Sequence, residues 1–301
     1  MRVNDYTRKI ILTSLCGWMA AAGCRTHYNT TKAAFPVNTQ ASVARGKMLV
    51  MSSCAGCHFD PATKSLTGKQ YMETPKIAGK VYSANLTQSK KSPLAHYSDA
   101  EFAYLIRTGI AHDGRFLPYM LRPNMSDEDI SAMLSFLRSD DGAVVANDHV
   151  QGITHLNIIG KMGKPFLGKP LPYQATVRQP DMDNEVVYGR YMVDNIGCYH
   201  CHSAGKKLND LEPEKTKGYM AGGRKFKMPG GSVRGSNITP DRATGIGDYS
   251  QADFRRAVLE CIDRDGRKLS PPMEGFPMTN KEADAIYAYI KTLTPKKHKV
   301  N

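Results

Sequence analysis

Cys54-Ala55-Gly56-Cys57-His58 decides how the chain is read, because the pattern recurs as Cys198-Tyr199-His200-Cys201-His202. Each stretch is a C-x-x-C-H, the attachment signature of a c-type haem. Two thiols at this spacing reach the two vinyl groups on one porphyrin edge and form thioether bonds. The histidine that follows then lies beneath the iron as its proximal ligand. The two motifs predict two covalently attached haem c groups, one held by Cys54, Cys57 and His58, the other by Cys198, Cys201 and His202. A structural zinc site would need four ligands, and each motif offers two thiols and one adjacent histidine in the order typical of haem attachment.

Working outward, the sequence after each motif repeats. Asn85-Leu86-Thr87 returns as Asn237-Ile238-Thr239, an offset of 152 residues. Tyr97 to Phe102 returns as Tyr249 to Phe254, and Asp113-Gly114 as Asp265-Gly266, at the same offset. The motifs themselves are 144 apart, so the second copy carries about eight extra residues before Asn237. Tyr219 to Gly223 and Met228 to Gly231 are expected in that longer loop.

The helices expected in each copy follow from caps and period. Val43 to Val50 reads as a helix leading into the first motif, with Val186 to Gly189 as its echo. Ser98 and Glu101 form a capping box, and Phe102, Leu105 and Ile106 follow at helical spacing until Gly109 stops the helix. Ser126 caps a last helix bearing Ile130, Met133, Leu134 and Leu137, and Thr279 with Glu282 caps its counterpart. Gly46 and Gly189 are expected to let first and last helices cross closely, against Phe136 and Tyr289.

A histidine-ligated haem has a second axial position, whose occupant separates electron transfer from chemistry on a small molecule. Two methionine pairs recur in equivalent places, Met120 with Met273 and Met125 with Met278. Met125 and Met278 directly precede helix caps, where a hydrophobic staple packs. Met120 and Met273 lie in proline-stiffened loops, and they are the expected sixth ligands; Met125 and Met278 are the alternative pair. His200 is expected to be exposed. His96, His112, His149 and His155 have no repeat partner and read as surface or turn residues. Cys261 reads as a buried, inert thiol on a helix stripe. Tyr97 and Tyr249 suit either a haem propionate or packing.

The N-terminus reads as a targeting segment. Arg2, Arg8 and Lys9 precede a run of 14 mostly apolar or small residues, Ile10 to Gly23. A membrane-spanning helix needs about 20, so the run fits a signal peptide over residues 1–23. Ala21-Ala22-Gly23-Cys24 resembles a lipobox, making Cys24 the lipidation candidate; ordinary cleavage near Ala22 is the alternative. Residues 24–40 read as a flexible tether, 141–180 as an extended Pro/Gly-rich linker and 296–301 as a frayed basic tail. Of seven cysteines, four go to haem, Cys16 to the leader and Cys24 to lipid, which leaves Cys261 and no disulfide framework.

Mean hydropathy is −0.43 and the formal net charge is +13. That charge favours acidic partners, no nucleic-acid motif accompanies it, and the propionates of two haems would reduce it.

On these motifs the chain resembles bacterial dihaem cytochromes c of the class I fold. It is most similar to the cytochrome c subunits that accompany membrane-associated periplasmic dehydrogenases. Asn237-Ile238-Thr239-Pro240-Asp241-Arg242-Ala243-Thr244-Gly245-Ile246-Gly247-Asp248-Tyr249-Ser250 carries that likeness. The resemblance implies an all-α fold of two tandem cytochrome c domains, over residues 41–140 and 181–295, each wrapped around one haem. It further implies an electron carrier, not an enzyme, that takes electrons from a dehydrogenase and passes them to a terminal oxidase or another cytochrome. The location implied is the periplasmic side of a membrane, with the lipid as anchor. A dihaem redox enzyme, such as a peroxidase or a thiosulfate-oxidising cytochrome, is the alternative.

Overall fold

The computed structural model describes residues 40–71, 76–149, 152–163, 168–205, 209–228 and 231–300. The expected leader and Cys24 lie outside these residues, as does the tether up to residue 39. In chain order the elements are α1 (Gln40–Ser53), α2 (Ala55–His58), β1 (Gly79–Lys80), α3 (Asp99–Thr108), α4 (Asp127–Leu137), β2 (His155–Leu156) and α5 (Ile158–Gly163). They continue with α6 (Glu185–Ile196), α7 (Cys198–His202), β3 (Lys225–Met228), β4 (Gly231–Arg234), α8 (Gln251–Glu260) and α9 (Asn280–Thr292).

Glycine sets the main helix crossing in each half. A Cβ added at Gly46 of α1 would stand 1.8 Å from the Ala132 carbonyl oxygen of α4 and 2.9 Å from Phe136 Cβ. A Cβ at Gly189 of α6 would stand 1.8 Å from the Ala285 carbonyl oxygen of α9 and 2.9 Å from Tyr289 Cβ. Both crossings match the expectation, partner for partner.

The helix starts also match. Ser98 accepts from Glu101 N, and the Glu101 carboxylate accepts from Ser98 N at 2.7 Å. Ser250 with Asp253 and Thr279 with Glu282 close the same box on α8 and α9. Each such cap is worth about 1 kcal/mol. At the C-terminus of α3, Gly109 takes the left-handed conformation, φ 76°. Its counterpart in the second half is Cys261, at φ 59°. The thiol is buried, as expected, but it ends α8 instead of extending its stripe.

One apolar core runs through both halves, from Leu49, Met125, Ile130 and Phe136 to Met192, Tyr199, Met220 and Ile290. The fold is mostly helical, with, among the described residues, two short antiparallel ladders that the all-α expectation did not include. β1 pairs β2 through Gly79 and Leu156, and β3 pairs β4 as a hairpin.

Equivalent positions of the two halves meet each other. Arg45 on α1 forms a two-bonded pair with Asp129 of α4, at 2.9 and 2.8 Å. The corresponding pair in the second half is Tyr188 of α6 donating to Glu282 of α9 at 3.0 Å. Arg45 joins them, donating to Tyr188 Oη at 2.7 Å and to Glu282 at 3.3 Å. Tyr191 donates to Asp129 at 2.6 Å from the other side.

The linker is more structured than an extended strand. Its β2 and α5 lie against residues 76–80. Further on, Leu171 N donates to Thr108 O and Asp127 N to Val177 O. Arg107, fully buried, donates to the carbonyls of Gln174 and Ala175 and pairs with Asp127. Residues 296–300 of the tail are not frayed. Asn237 Nδ2 donates to Lys296 O at 2.7 Å and His298 N to Thr244 Oγ1 at 2.9 Å. In the first half Asn85 makes the same bond to Asn147 O at 2.8 Å, so the tail completes the repeat.

Candidate functional site

Each C-x-x-C-H begins where a long helix ends. α1 runs into Cys54, and α2 carries Cys57 and His58. α6 stops at Gly197 in the left-handed conformation, φ 84°, and α7 carries Cys198 to His202. None of the four cysteines is in a disulfide, and all four are partly exposed. Burial pushes the Cys54 thiol up, and that of Cys198 up to about 12 with a further push from Cys201.

The two motif histidines are held alike. His58 Nδ1 lies 2.7 Å from the Ala84 carbonyl oxygen, and His202 Nδ1 lies 2.8 Å from the Ser236 carbonyl oxygen. A carbonyl only accepts, so Nδ1 carries the proton in both rings, and Nε2 keeps its lone pair for a metal. Burial lowers the pKa of both rings, which favours the neutral, ligating form. His58 Nε2 is buried with no hydrogen-bond partner. A buried polar atom without a partner calls for an explanation, and an iron held at Nε2 beside two thiols would provide it. The residues present fit a covalently bound haem.

The loop that returns under each motif is also alike. Gly68 N donates to His58 O at 2.8 Å and Leu86 N to Leu66 O at 2.8 Å. In the second half Gly222 N donates to His202 O at 2.6 Å and Ile238 N to Met220 O at 2.9 Å. These bonds relocate the extra residues of the second copy. They fall between His202 and Gly222, in the segment through Asp210 and Leu211, and not in the β3–β4 hairpin.

That segment corrects the expectation for His200. Its ring is not exposed: Nε2 lies 2.9 Å from Asp210 Oδ1, and the ring packs edge-on to Tyr199 with centroids 4.3 Å apart. Tyr199 donates to the same Asp210 oxygen at 2.7 Å. Asp210 lies outside the repeat, and no spacing rule pointed to it. His96, His112, His149 and His155 are exposed, as expected.

The four methionines divide into two kinds. Met125 and Met278 are buried in the core. Met120 ends the turn Pro118–Met120 and is partly buried, with Tyr119 exposed beside it. Met273 is also partly buried, and its carbonyl oxygen accepts from the Cys261 thiol at 3.7 Å. The left-handed cap thus turns Cys261 toward the Met273 loop, a role its helical spacing did not reveal. Tyr97 and Tyr249 are partly buried and pack against the core. The Tyr97 hydroxyl accepts from His112 N at 3.2 Å.

Comparison with known proteins agrees with the chemistry of the first site. Residues 43–140 match the cytochrome c family. The fructose dehydrogenase cytochrome subunit of Gluconobacter japonicus is 26% identical over 97% of this chain and 60% of its own length. The cytochrome c subunit of the quinone alcohol dehydrogenase of Gluconacetobacter polyoxogenes is 37% identical over 38% of this chain and 24% of its own length. The gluconate 2-dehydrogenase cytochrome c subunit of Pantoea cypripedii is 33% identical over 40% of this chain and 26% of its own length. The chain therefore spans between about a quarter and 60% of the length of these relatives. Residues 43–140 thus match the cytochrome c family, whose domain implies a covalently bound haem c, and the chain that carries them resembles the cytochrome c subunits of bacterial dehydrogenases.

Proposed function

We propose that this chain is a dihaem electron carrier built from two tandem cytochrome c domains, which takes electrons from a dehydrogenase and passes them to a terminal oxidase or another cytochrome. One observation carries the reading. The second motif repeats the geometry of the first, with His202 fixed through Nδ1 to the Ser236 carbonyl as His58 is fixed to that of Ala84. At each site haem c supplies a one-electron couple.

The protein holds each site in a fixed state. Cys54 and Cys57, and Cys198 and Cys201, provide the covalent attachment. The carbonyls of Ala84 and Ser236 set the tautomer of His58 and His202. Met120 and Met273 are the proposed sixth ligands, because core packing occupies Met125 and Met278. A thioether in that position closes the site to small molecules and raises the potential. The dehydrogenase donor is supported by the relatives, which are cytochrome subunits of dehydrogenases. Attachment to the periplasmic face of a membrane through a lipid on Cys24 is part of the proposal and rests on the lipobox-like Ala21 to Cys24.

Haem counting by the pyridine haemochrome assay, with optical spectra of the resting protein, tests the reading. Two haems per chain, both low-spin and both with the weak absorption of an iron–methionine bond, are expected. A high-spin resting haem would instead favour a redox enzyme, and one haem per chain would remove the second site.

A further inference from the structure

Arg122 stands where the two attachment segments come together. Its backbone N–H donates to Ile106 O at 2.7 Å, tying the loop of Met120 to α3. Its guanidinium donates from Nε to Asn195 O at 2.7 Å, from Nη1 to Leu121 O at 2.6 Å and from Nη2 to Ser53 O at 3.4 Å. Ser53 is covalently joined to Cys54, and Asn195 lies one helical turn before Cys198. One side chain thus grips the chain just ahead of both motifs, from the loop that bears Met120.

Its charge is not neutralised by direct pairing. Arg45 pairs with Asp129 and Glu282, and Arg107 with Asp127. Among the described residues no carboxylate forms an ion pair with Arg122, and its acceptors are backbone carbonyls. Asp210 feels the charge, but its Oδ1 accepts from Tyr199 and His200. A guanidinium remains charged at any accessible pH. These contacts place the charge of Arg122 beside both attachment segments, at Ser53 next to Cys54 on one side and at Asn195, three residues before Cys198, on the other.

We propose that Arg122 is a positive charge shared by the two haem sites, which raises both reduction potentials together while fixing the Met120 loop against the second site. This rests on the dihaem reading. An oxidised haem iron carries one more positive charge than a reduced one. A fixed cation between two such centres therefore disfavours the oxidised form of each. In this role Arg122 is a positioning residue that tunes both relays.

The test is spectroelectrochemical titration of the haem-loaded protein against Arg122→Met and Arg122→Lys, after the haems have been counted. Arg122→Met is expected to lower both potentials, with the reduced-to-oxidised ratio at a given electrode potential falling about tenfold at each haem, about 59 mV for a one-electron couple. Arg122→Lys keeps the charge and is expected to restore most of the shift. Should Arg122→Met fail to assemble, Arg122→Gln removes the charge and retains amide donors, and the same fall is expected. A count of one haem per chain overturns the dihaem reading, and this proposal with it, before any potential is measured. With two haems present, unmoved potentials, a shift at one haem alone, or Arg122→Lys falling as far as Arg122→Met overturns the proposal and leaves the dihaem reading standing.

Discussion

Replacing Gly46 with alanine tests the helix crossing on which the first site rests. The new Cβ would lie 1.8 Å from the Ala132 carbonyl oxygen, which is backbone and cannot swing aside as a side chain can. Non-bonded heavy atoms rest roughly 3.5 Å apart, so α1 and α4 must separate by roughly 1.5 Å or the Ala132 carbonyl must leave its hydrogen bond. Overpacking of this kind costs about 1–3 kcal/mol, and a backbone obstacle places Gly46→Ala at the upper end, about 3 kcal/mol. For a folded unit of about 100 residues that lowers the melting temperature by about 12 °C or more. Gly56→Ala is the control. Nothing lies within 4 Å of its added Cβ, and alanine in a helix is favoured over glycine by about 0.5–1 kcal/mol. Thermal melts of the haem-loaded protein, followed by circular dichroism and the haem absorption together, give the readout. A Gly46→Ala melt within about 2 °C of the parent, or a Gly56→Ala variant that falls as far, would refute the crossing argument.

Further outcomes follow from the same geometry. Met125 is fully buried, so Met125→Ala is expected to cost about 2–5 kcal/mol in a denaturant melt with the resting haem spectrum unchanged, whereas Met120→Ala changes that spectrum. Burial pushes the Asp194 carboxyl up to about 7 from an ordinary value of 3.8, against the pull of Arg190. Between those pH values the folded state binds the extra proton, so stability falls as pH rises through the window, by at most about 4 kcal/mol. Asp194→Asn should flatten that slope and raise the denaturant midpoint at pH 8. Deleting residues 296–301 removes the Lys296 and His298 bonds to Asn237, Thr239, Thr244 and Ala221. At about 1 kcal/mol net per bond the loss is about 2–4 kcal/mol in guanidinium unfolding, and a midpoint that does not move would return the tail to the solvent.

The legible parts of the chain were those governed by local rules. Caps at Ser98, Ser250 and Thr279 announce themselves because the bonding partner lies three residues on. Gly46 and Gly189 were readable because a glycine inside an apolar helix is costly unless something needs the space. The candidate attachment residues came from the covalent chemistry of the motif. What escaped was non-local. The side chain of Asn237 catches a backbone some 60 residues away, so Lys296 looked free. The difference in motif offset gave the length of the insertion but not its position, and only the Gly222–His202 bond places it around Asp210. Cys261 misled because a left-handed cap is usually glycine, as at Gly109, and a thiol there reads as part of the helix. Arg122 carried no sequence signal at all, since its acceptors are backbone carbonyls that any residue could supply.

The contact between Arg45 and Tyr188 has an evolutionary consequence. Duplication of one unit would first give two identical copies, free to pair with themselves or with other chains. Matching positions meet across this junction, so self-pairing of the first kind would set guanidinium against guanidinium. Self-pairing of the second kind would bring two phenols and two Glu282 carboxylates together with no cation. Only the mixed pair supplies one cation, one phenol and the acceptors for both. Divergence at a single pair of positions gives each half a reason to choose its own neighbour. Cutting the chain between the halves would leave Arg45, Tyr188 and Tyr191 without the partners they bond across this junction.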